Sequence, residues 1–112
     1  MTDLIIFRGN TVSLSVTVTA SGSVYNLTGC SLTFTAKIKY TDTSAVFQKT
    51  IGNGITVTTP TSGLVTIVIS PSDTLSLSNA KQMLVYDLEA VDGSGNVYTL
   101  ASGNLIVYPK VT

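Results

Sequence analysis

Two carboxylates on one strand are the residues whose type and spacing best fit a chemical reaction. Asp87 and Glu89 lie at alternate positions of the segment "MLVYDLEAVD", so on a β-strand both side chains would project from the same face. The strand rise places them roughly 7 Å apart, a separation that suits glycoside hydrolysis. The alternative is that both acids face water or a neighbouring lysine. The lack of tryptophan, which stacks on sugars, favours this alternative.

Other reactive groups are few. The loop "DGSGN" at 92–96 resembles a calcium loop, but the glycine and the glutamate that complete such a loop are missing, which favours a plain hairpin turn. Without histidine, Ser-His-Asp and Cys-His systems are excluded. Cys30 is the single cysteine and is expected to be a small buried hydrophobe. The sequence therefore predicts no enzyme, no metal and no cofactor.

The composition limits the possible partners. Charged residues make up 11% of the chain, against about 25% in typical domains, and six basic residues balance six acidic ones. This balance leaves no basic surface for nucleic acid or an anionic membrane, and near-zero net charge favours association. The first ten residues carry an acid where a signal peptide has basic residues, so synthesis in a host cytoplasm without a signal peptide is expected.

Short strands separated by turn residues fill the chain, and no long window has helical periodicity. This pattern predicts one all-β domain over 1–112, an antiparallel sandwich of about seven to eight strands. Gly103 is a candidate break in the last strand. The predicted strands are 4–8, 11–19, 31–40, 45–51, 54–59, 63–70, 83–92 and 96–108.

Alternation assigns the faces of these strands. In "TVSLSVTV" the aliphatic residues at 12, 14, 16 and 18 face the core and the hydroxyl residues between them face outward. In "SLTFTAKIKY" the same pattern turns Ile38 and Tyr40 inward. The core is predicted to include Phe34, Ile67, Tyr86 and Leu88.

Three turn segments separate the strands. "RGN" at 8–10 suits a tight reversal, and "GNG" at 52–54 has the Asn-Gly signal of a two-residue hairpin. In "SPSDTLSL", Ser70 can cap a helical turn near 71–77 that crosses between sheets, with Leu75 or Leu77 inward.

Some outward positions are poorly suited to water. Aliphatic residues accompany the polar ones on the outer faces of 63–70 and 83–92, and hydroxyls replace charges on the strand 11–19. Hydroxyls lose water at a lower cost than charges do, so these faces suit contact with protein. The predicted protein interface consists of Leu64, Val68, Val85 and Val91, with Ser13, Ser15 and Thr17 secondary.

Several segments resemble one protein family over nearly the whole chain. They are "RGN-T" followed by "VSLSVTV", "NLTGCSLTFTAKIK" at 26–39, "SGLVTIVISPSDT" at 62–74 and "YDLEAVDGSGNVYTLASGNLIV" at 86–107. Together they are similar to the N-terminal immunoglobulin-like domain of phage baseplate upper proteins and related virion modules. In that family the first turn commonly reads Arg-Gly-Asp-Thr, and here Asn10 replaces the acid.

The resemblance implies an immunoglobulin-like fold and a non-enzymatic bacteriophage protein located in the virion. It implies an adaptor or building block of the tail, baseplate or fibre-attachment region, whose partners are other virion proteins and copies of itself. The alternative is a capsid decoration or host-surface module that binds glycan through Tyr25, Tyr98 and Asn96.

Overall fold

The computed structural model describes residues 3–20 and 23–111, which form ten strands and one short α-helix. Eight strands make one sheet in the order β1-β10-β9-β5-β6-β7-β8-β2, which curls around a single core and nearly closes into a barrel. The remaining pair, β3 and β4, forms a separate two-stranded ribbon. The elements are β1 (Leu4–Phe7), β2 (Val12–Thr17), β3 (Thr19–Ala20), β4 (Ser23–Val24), β5 (Ser31–Lys37), β6 (Phe47–Ile51), β7 (Gly54–Thr59), a single 3₁₀ turn (Pro60–Ser62), β8 (Leu64–Ile69), α1 (Pro71–Leu75), β9 (Gln82–Val91) and β10 (Val97–Tyr108).

The all-β prediction is confirmed, but the expectation of purely antiparallel pairing is wrong. β1 runs parallel to β10, and β6 runs parallel to β7 over two residue pairs. The "GNG" segment therefore does not form a hairpin. Gly52 and Gly54 both have positive φ, and the Gly52 N–H donates to the Ile55 carbonyl at 3.1 Å. The chain makes a complete loop here and continues in its original direction.

The core lies where the alternating patterns place it. Phe34, Ile67, Tyr86 and Leu88 are all buried, as predicted. The Phe34 ring lies 5.4 Å from that of Tyr86 and 6.0 Å from that of Phe47 between ring centroids, so aromatic contacts join β5, β6 and β9. Strand alternation thus suffices to separate core residues from outer ones on the long strands.

Several predicted details differ from the structure. β5 ends at Lys37, and a turn in which Asp42 accepts a bond from the Lys39 N–H leaves Ile38 and Tyr40 exposed instead of inward. β10 does not break at Gly103, and its pairing with β9 shifts instead between Thr99 and Ala101. Cys30 is half-buried, since it follows a turn and precedes β5.

The helical turn is confirmed and its inward residue is Leu77. The Ser70 N–H donates to Asp73 Oδ2 at 2.7 Å, which caps the first turn of α1. Leu77 is buried, whereas Leu75 is exposed. Asp73 Oδ2 also lies 2.7 Å from Lys49 Nζ on β6, and the two side chains keep only 15% and 10% of their exposure. This ion pair ties the helix to the sheet.

The "RGN" turn is tied to the segment that follows β8. Arg8 donates from Nε to the Leu77 carbonyl at 2.7 Å and from Nη2 to the Leu75 carbonyl at 2.9 Å. The Gly9 N–H donates to the hydroxyl of buried Thr74 at 2.8 Å. The arginine thus satisfies carbonyls at the end of α1, where a cation is favourable.

Candidate functional site

Five of the seven predicted interface residues lie together on the outer face of β2 and β8. Their register pairs Ser13 with Val68 and Thr17 with Leu64, while Ser15 pairs with Thr66. The two serines and Thr17 are exposed, and the two aliphatic residues are half-buried, as is Thr66. We call the surface formed by Ser13, Ser15, Thr17, Thr56, Leu64, Thr66 and Val68 the hydroxyl face.

The hydroxyl face carries no formal charge. None of the three neighbouring strands β2, β7 and β8 contains a lysine, arginine, aspartate or glutamate. Thr56 lies opposite Thr66, so hydroxyl groups continue from β2 across β8 to β7. Such a face can form hydrogen bonds with water or with protein and loses water without the large cost of burying an ion.

The other two predicted interface residues lie elsewhere. Val85 and Val91 are half-buried on the outer face of β9, which is separated from β8 by β5, β6 and β7 in the sheet order. The sequence alternation placed both residues outward correctly. It could not show that β8 and β9 lie in different parts of the sheet, and the seven residues therefore do not form one surface.

An apolar surface that the sequence analysis missed lies near β1. Ile5, Phe7 and Met83 are 63%, 49% and 56% exposed. Ile5 pairs with Ile106, which in turn pairs with Met83, and Phe7 pairs with Tyr108. We call these five residues the edge patch. The available signal was "LIIF" at 4–7, because four consecutive apolar residues on a strand must leave two of them on the outer face.

The carboxylates Asp87 and Glu89 line an open groove of about 480 Å³ on the outer face of β5, β9 and β10. Asp87 lies between Thr35 and Ser102, and Glu89 has threonines on both sides. Within residues 3–20 and 23–111, neither acid forms an ion pair. The structure therefore places both carboxylates on the same face, as the alternation predicts, among the hydroxyl groups of the neighbouring strands.

The Asp92 loop is closed by its own hydrogen bonds. Asp92 Oδ1 accepts bonds at 2.9 Å from the backbone N–H groups of Ser94 and Asn96, and Oδ2 accepts one from the Asn96 side chain. The loop joins β9 to β10 as a hairpin, as predicted. These bonds, first those from the backbone and side chain of Asn96, hold the pKa of Asp92 below its usual value.

We expect NMR titration of the Asp92 carboxyl carbon to give a pKa below 3.8. Because the folded pKa is the lower one, the loop bonds contribute stability above the unfolded pKa, and this contribution is lost as pH falls through the folded pKa. An Asn96→Ala variant keeps the backbone donor and loses the side-chain donor, so its Asp92 pKa should move part of the way back. A wild-type pKa of 3.8 or above would contradict this assignment.

The residues proposed for glycan binding are only partly brought together. The rings of Tyr25 and Tyr98 lie 6.4 Å apart in an edge-to-face contact, and Tyr98 is 45% exposed. The side-chain amide of Asn96 donates a hydrogen bond to Asp92 Oδ2. The pair of tyrosines could pack against a sugar ring, but its polar neighbour already has a partner.

Neither a metal cluster nor a family relationship indicates what the chain does. In the part of the chain that the structure describes, no three acidic or cysteine side chains come together as a metal site, and no helix could cross a membrane. No model of a known protein family matches the chain, and a search of curated proteins finds no relative. The surfaces of the sheet are therefore the features that bear on function.

Proposed function

We propose that this chain is a non-enzymatic structural protein of a bacteriophage particle. It acts as an adaptor or building block of the tail, baseplate or fibre-attachment region. Its partners are other virion proteins and copies of itself, and it works through protein contacts without nucleic acid, membrane or cofactor. The observation that carries this proposal is the hydroxyl face, three adjacent strands without a single charged residue.

The hydroxyl face supports contact with protein for a thermodynamic reason. Lysine and glutamate on an outer strand surface discourage association, because each charge must lose water when a neighbour covers it. Serine and threonine lose less on burial and can still pair with a neighbour's polar groups. Leu64 and Val68, half-buried among these hydroxyls, add apolar area that gains from being covered.

We further infer that the sheet is an immunoglobulin-like sandwich. The strand order supports this inference, since β1-β10-β9-β5-β6 and β7-β8-β2 form two groups whose link in the sheet is the two-residue parallel pairing of β6 with β7. The chain passes between these groups after β1, again before β5, and after β6 and β8. Repeated crossing of this kind is typical of Greek-key sandwiches.

The proposed function is tested on purified particles of the phage whose genome encodes the chain. Mass spectrometry of washed particles should detect the protein at a fixed ratio to the other virion proteins. Its absence from such particles would overturn the virion role.

A variant separates the hydroxyl face from the rest of the surface. Thr66→Lys places a charge at the centre of that face, so we expect a protein with an unchanged circular dichroism spectrum that no longer enters particles. Ser94→Lys in the exposed loop is the matched control and should be incorporated normally. Normal incorporation of Thr66→Lys would show that this face makes no contact in the particle.

Glycan binding as a capsid decoration or host-surface module is the second candidate, favoured by the contact between Tyr25 and Tyr98. Aromatic rings at the end of a β-domain can stack on sugar rings. A glycan array that includes bacterial polysaccharides provides the test. Binding that is lost in Tyr98→Ala would support this role, and no binding to any of them would count against it.

A further inference from the structure

We propose that two copies of this chain associate by antiparallel pairing of their β1 strands about a twofold axis. This inference deepens the proposed function and rests on it in one respect, namely that the chain acts through contacts with protein. β1 is the terminal strand of the eight-stranded sheet, and within residues 3–20 and 23–111 its one ladder partner is β10, so its second edge presents backbone donors and acceptors. Such an edge is a template for another strand.

β1 lacks the features that usually prevent edge pairing. Its sequence, "LIIF", contains no charge, no proline and no glycine, and its register with β10 is continuous. β2, at the other end of the sheet, is also uncharged, but its outward residues are hydroxyls that water can satisfy. β1 instead directs Ile5 and Phe7 outward, and both are about half exposed or more. Because burial of apolar side chains is favourable, pairing through β1 is favoured over pairing through β2.

The edge patch reaches the free edge of β1, where the strand of a second copy would pair. Cross-strand pairing aligns Ile5 on β1 with Ile106 on β10 and Met83 on β9, which form one row of side chains across the sheet. The next row on this face contains Phe7 and Tyr108, whose ring centroids lie 6.0 Å apart. A strand added beside β1 would extend both rows. The occupant must therefore offer a free backbone edge and apolar side chains on the same face.

A second copy of β1 meets both requirements. Residues that pair across antiparallel strands lie on the same face, so a register with Ile6 opposite Ile6 on the twofold axis places Ile5 opposite Phe7 twice. Apolar cross-strand pairs of this kind stabilise sheets. The two edge patches then become one continuous surface.

Charge also favours this occupant. Asp3 precedes β1 and Arg8 follows it, so antiparallel pairing brings the Asp3 end of one strand to the Arg8 end of the other. Arg8 keeps its positive charge there while it donates to the Leu75 and Leu77 carbonyls of its own chain. The net charge of zero avoids repulsion between copies. An interface of four residues from each chain is small compared with those of stable dimers. The dimer should therefore be weak, and its fraction should rise with protein concentration.

The test is analytical ultracentrifugation of the purified chain over a hundredfold range of concentration. We expect the weight-average molecular mass to rise with concentration from 11.7 kDa towards twice that value. Phe7→Lys should weaken association at least tenfold, because the charge would lie opposite Ile5 of the second copy. Val97→Lys, at another exposed apolar position near the far end of the same face, is the matched control and should associate like the wild type.

Hydrogen exchange tests the pairing itself, since the amides of residues 4–7 that face the second copy should become protected as concentration rises. A monomer at every concentration, or a dimer that Phe7→Lys leaves intact, would overturn the proposal. Circular dichroism of each variant shows whether it has folded. These results concern purified protein, so failure here is distinguishable from absence of the chain from phage particles.

Discussion

Lys49→Met is expected to lower the free energy of unfolding by about 3 kcal/mol, the lower end of the range for a broken buried ion pair. Lys49 Nζ lies 2.7 Å from Asp73 Oδ2, and the side chains keep only 10% and 15% of their exposure. Without the lysine, the carboxylate would remain in a largely dry position with the Ser70 N–H as its neutral partner. Equilibrium denaturation in urea measures the loss.

A double variant shows whether the loss comes from the unpaired charge. Asp73→Asn removes the charge and keeps an oxygen that can accept from Ser70. Lys49→Met combined with Asp73→Asn should therefore be more stable than Lys49→Met alone. Additive losses, or a loss below about 0.5 kcal/mol in Lys49→Met, would contradict the role given to this pair.

Leu88→Ala should cost about 2–5 kcal/mol of unfolding free energy, through lost burial and the cavity that remains. Leu88 is 1% exposed and pairs with Phe34 on one side and Ala101 on the other. Its strand, β9, lies between β5 and β10, so the surroundings cannot easily collapse into the space. Denaturant unfolding monitored by circular dichroism gives the value.

Val85→Ala on the outer face of the same strand is the matched control and should cost less than about 1 kcal/mol. Val85 is half-buried, so truncation exposes little new apolar surface. A loss below about 0.5 kcal/mol for Leu88→Ala would mean that the two faces of β9 have been exchanged.

Local patterns in the sequence predict most of this fold. Alternation fixes the strands and their inward faces, because a period of two separates the faces of any half-buried strand. The same rule fails at Ile38 and Tyr40, where the chain has already left the sheet and alternation continues by chance. Ser70 and Pro71 predict the helical turn because capping is local.

Contacts between distant segments could not be predicted in this way. The sequence places Arg8 in a turn, and nothing near it shows that its partners are the carbonyls of Leu75 and Leu77. Lys49 falls in an ordinary strand pattern, and its burial depends on Asp73 reaching it from the helix.

The same distinction between local patterns and distant contacts applies to the candidate site. The outward position of all seven predicted interface residues follows from alternation within each strand. Their separation into two groups follows from the sheet order, which places β5, β6 and β7 between β8 and β9. The two outward apolar residues of β1 are visible in "LIIF", but the free edge beside them follows only from the sheet order, in which β1 is a terminal strand.

The parallel pairing of β1 with β10 also affects how the protein is made. Leu4 pairs with Leu105, so nearly the whole chain lies between the two partners. At ordinary translation rates β1 leaves the ribosome roughly 5–20 s before β10 exists. Contacts of such long range form slowly. During that interval four consecutive apolar residues have no strand to pair with, so a nascent chain at high expression is most exposed to aggregation through its first strand.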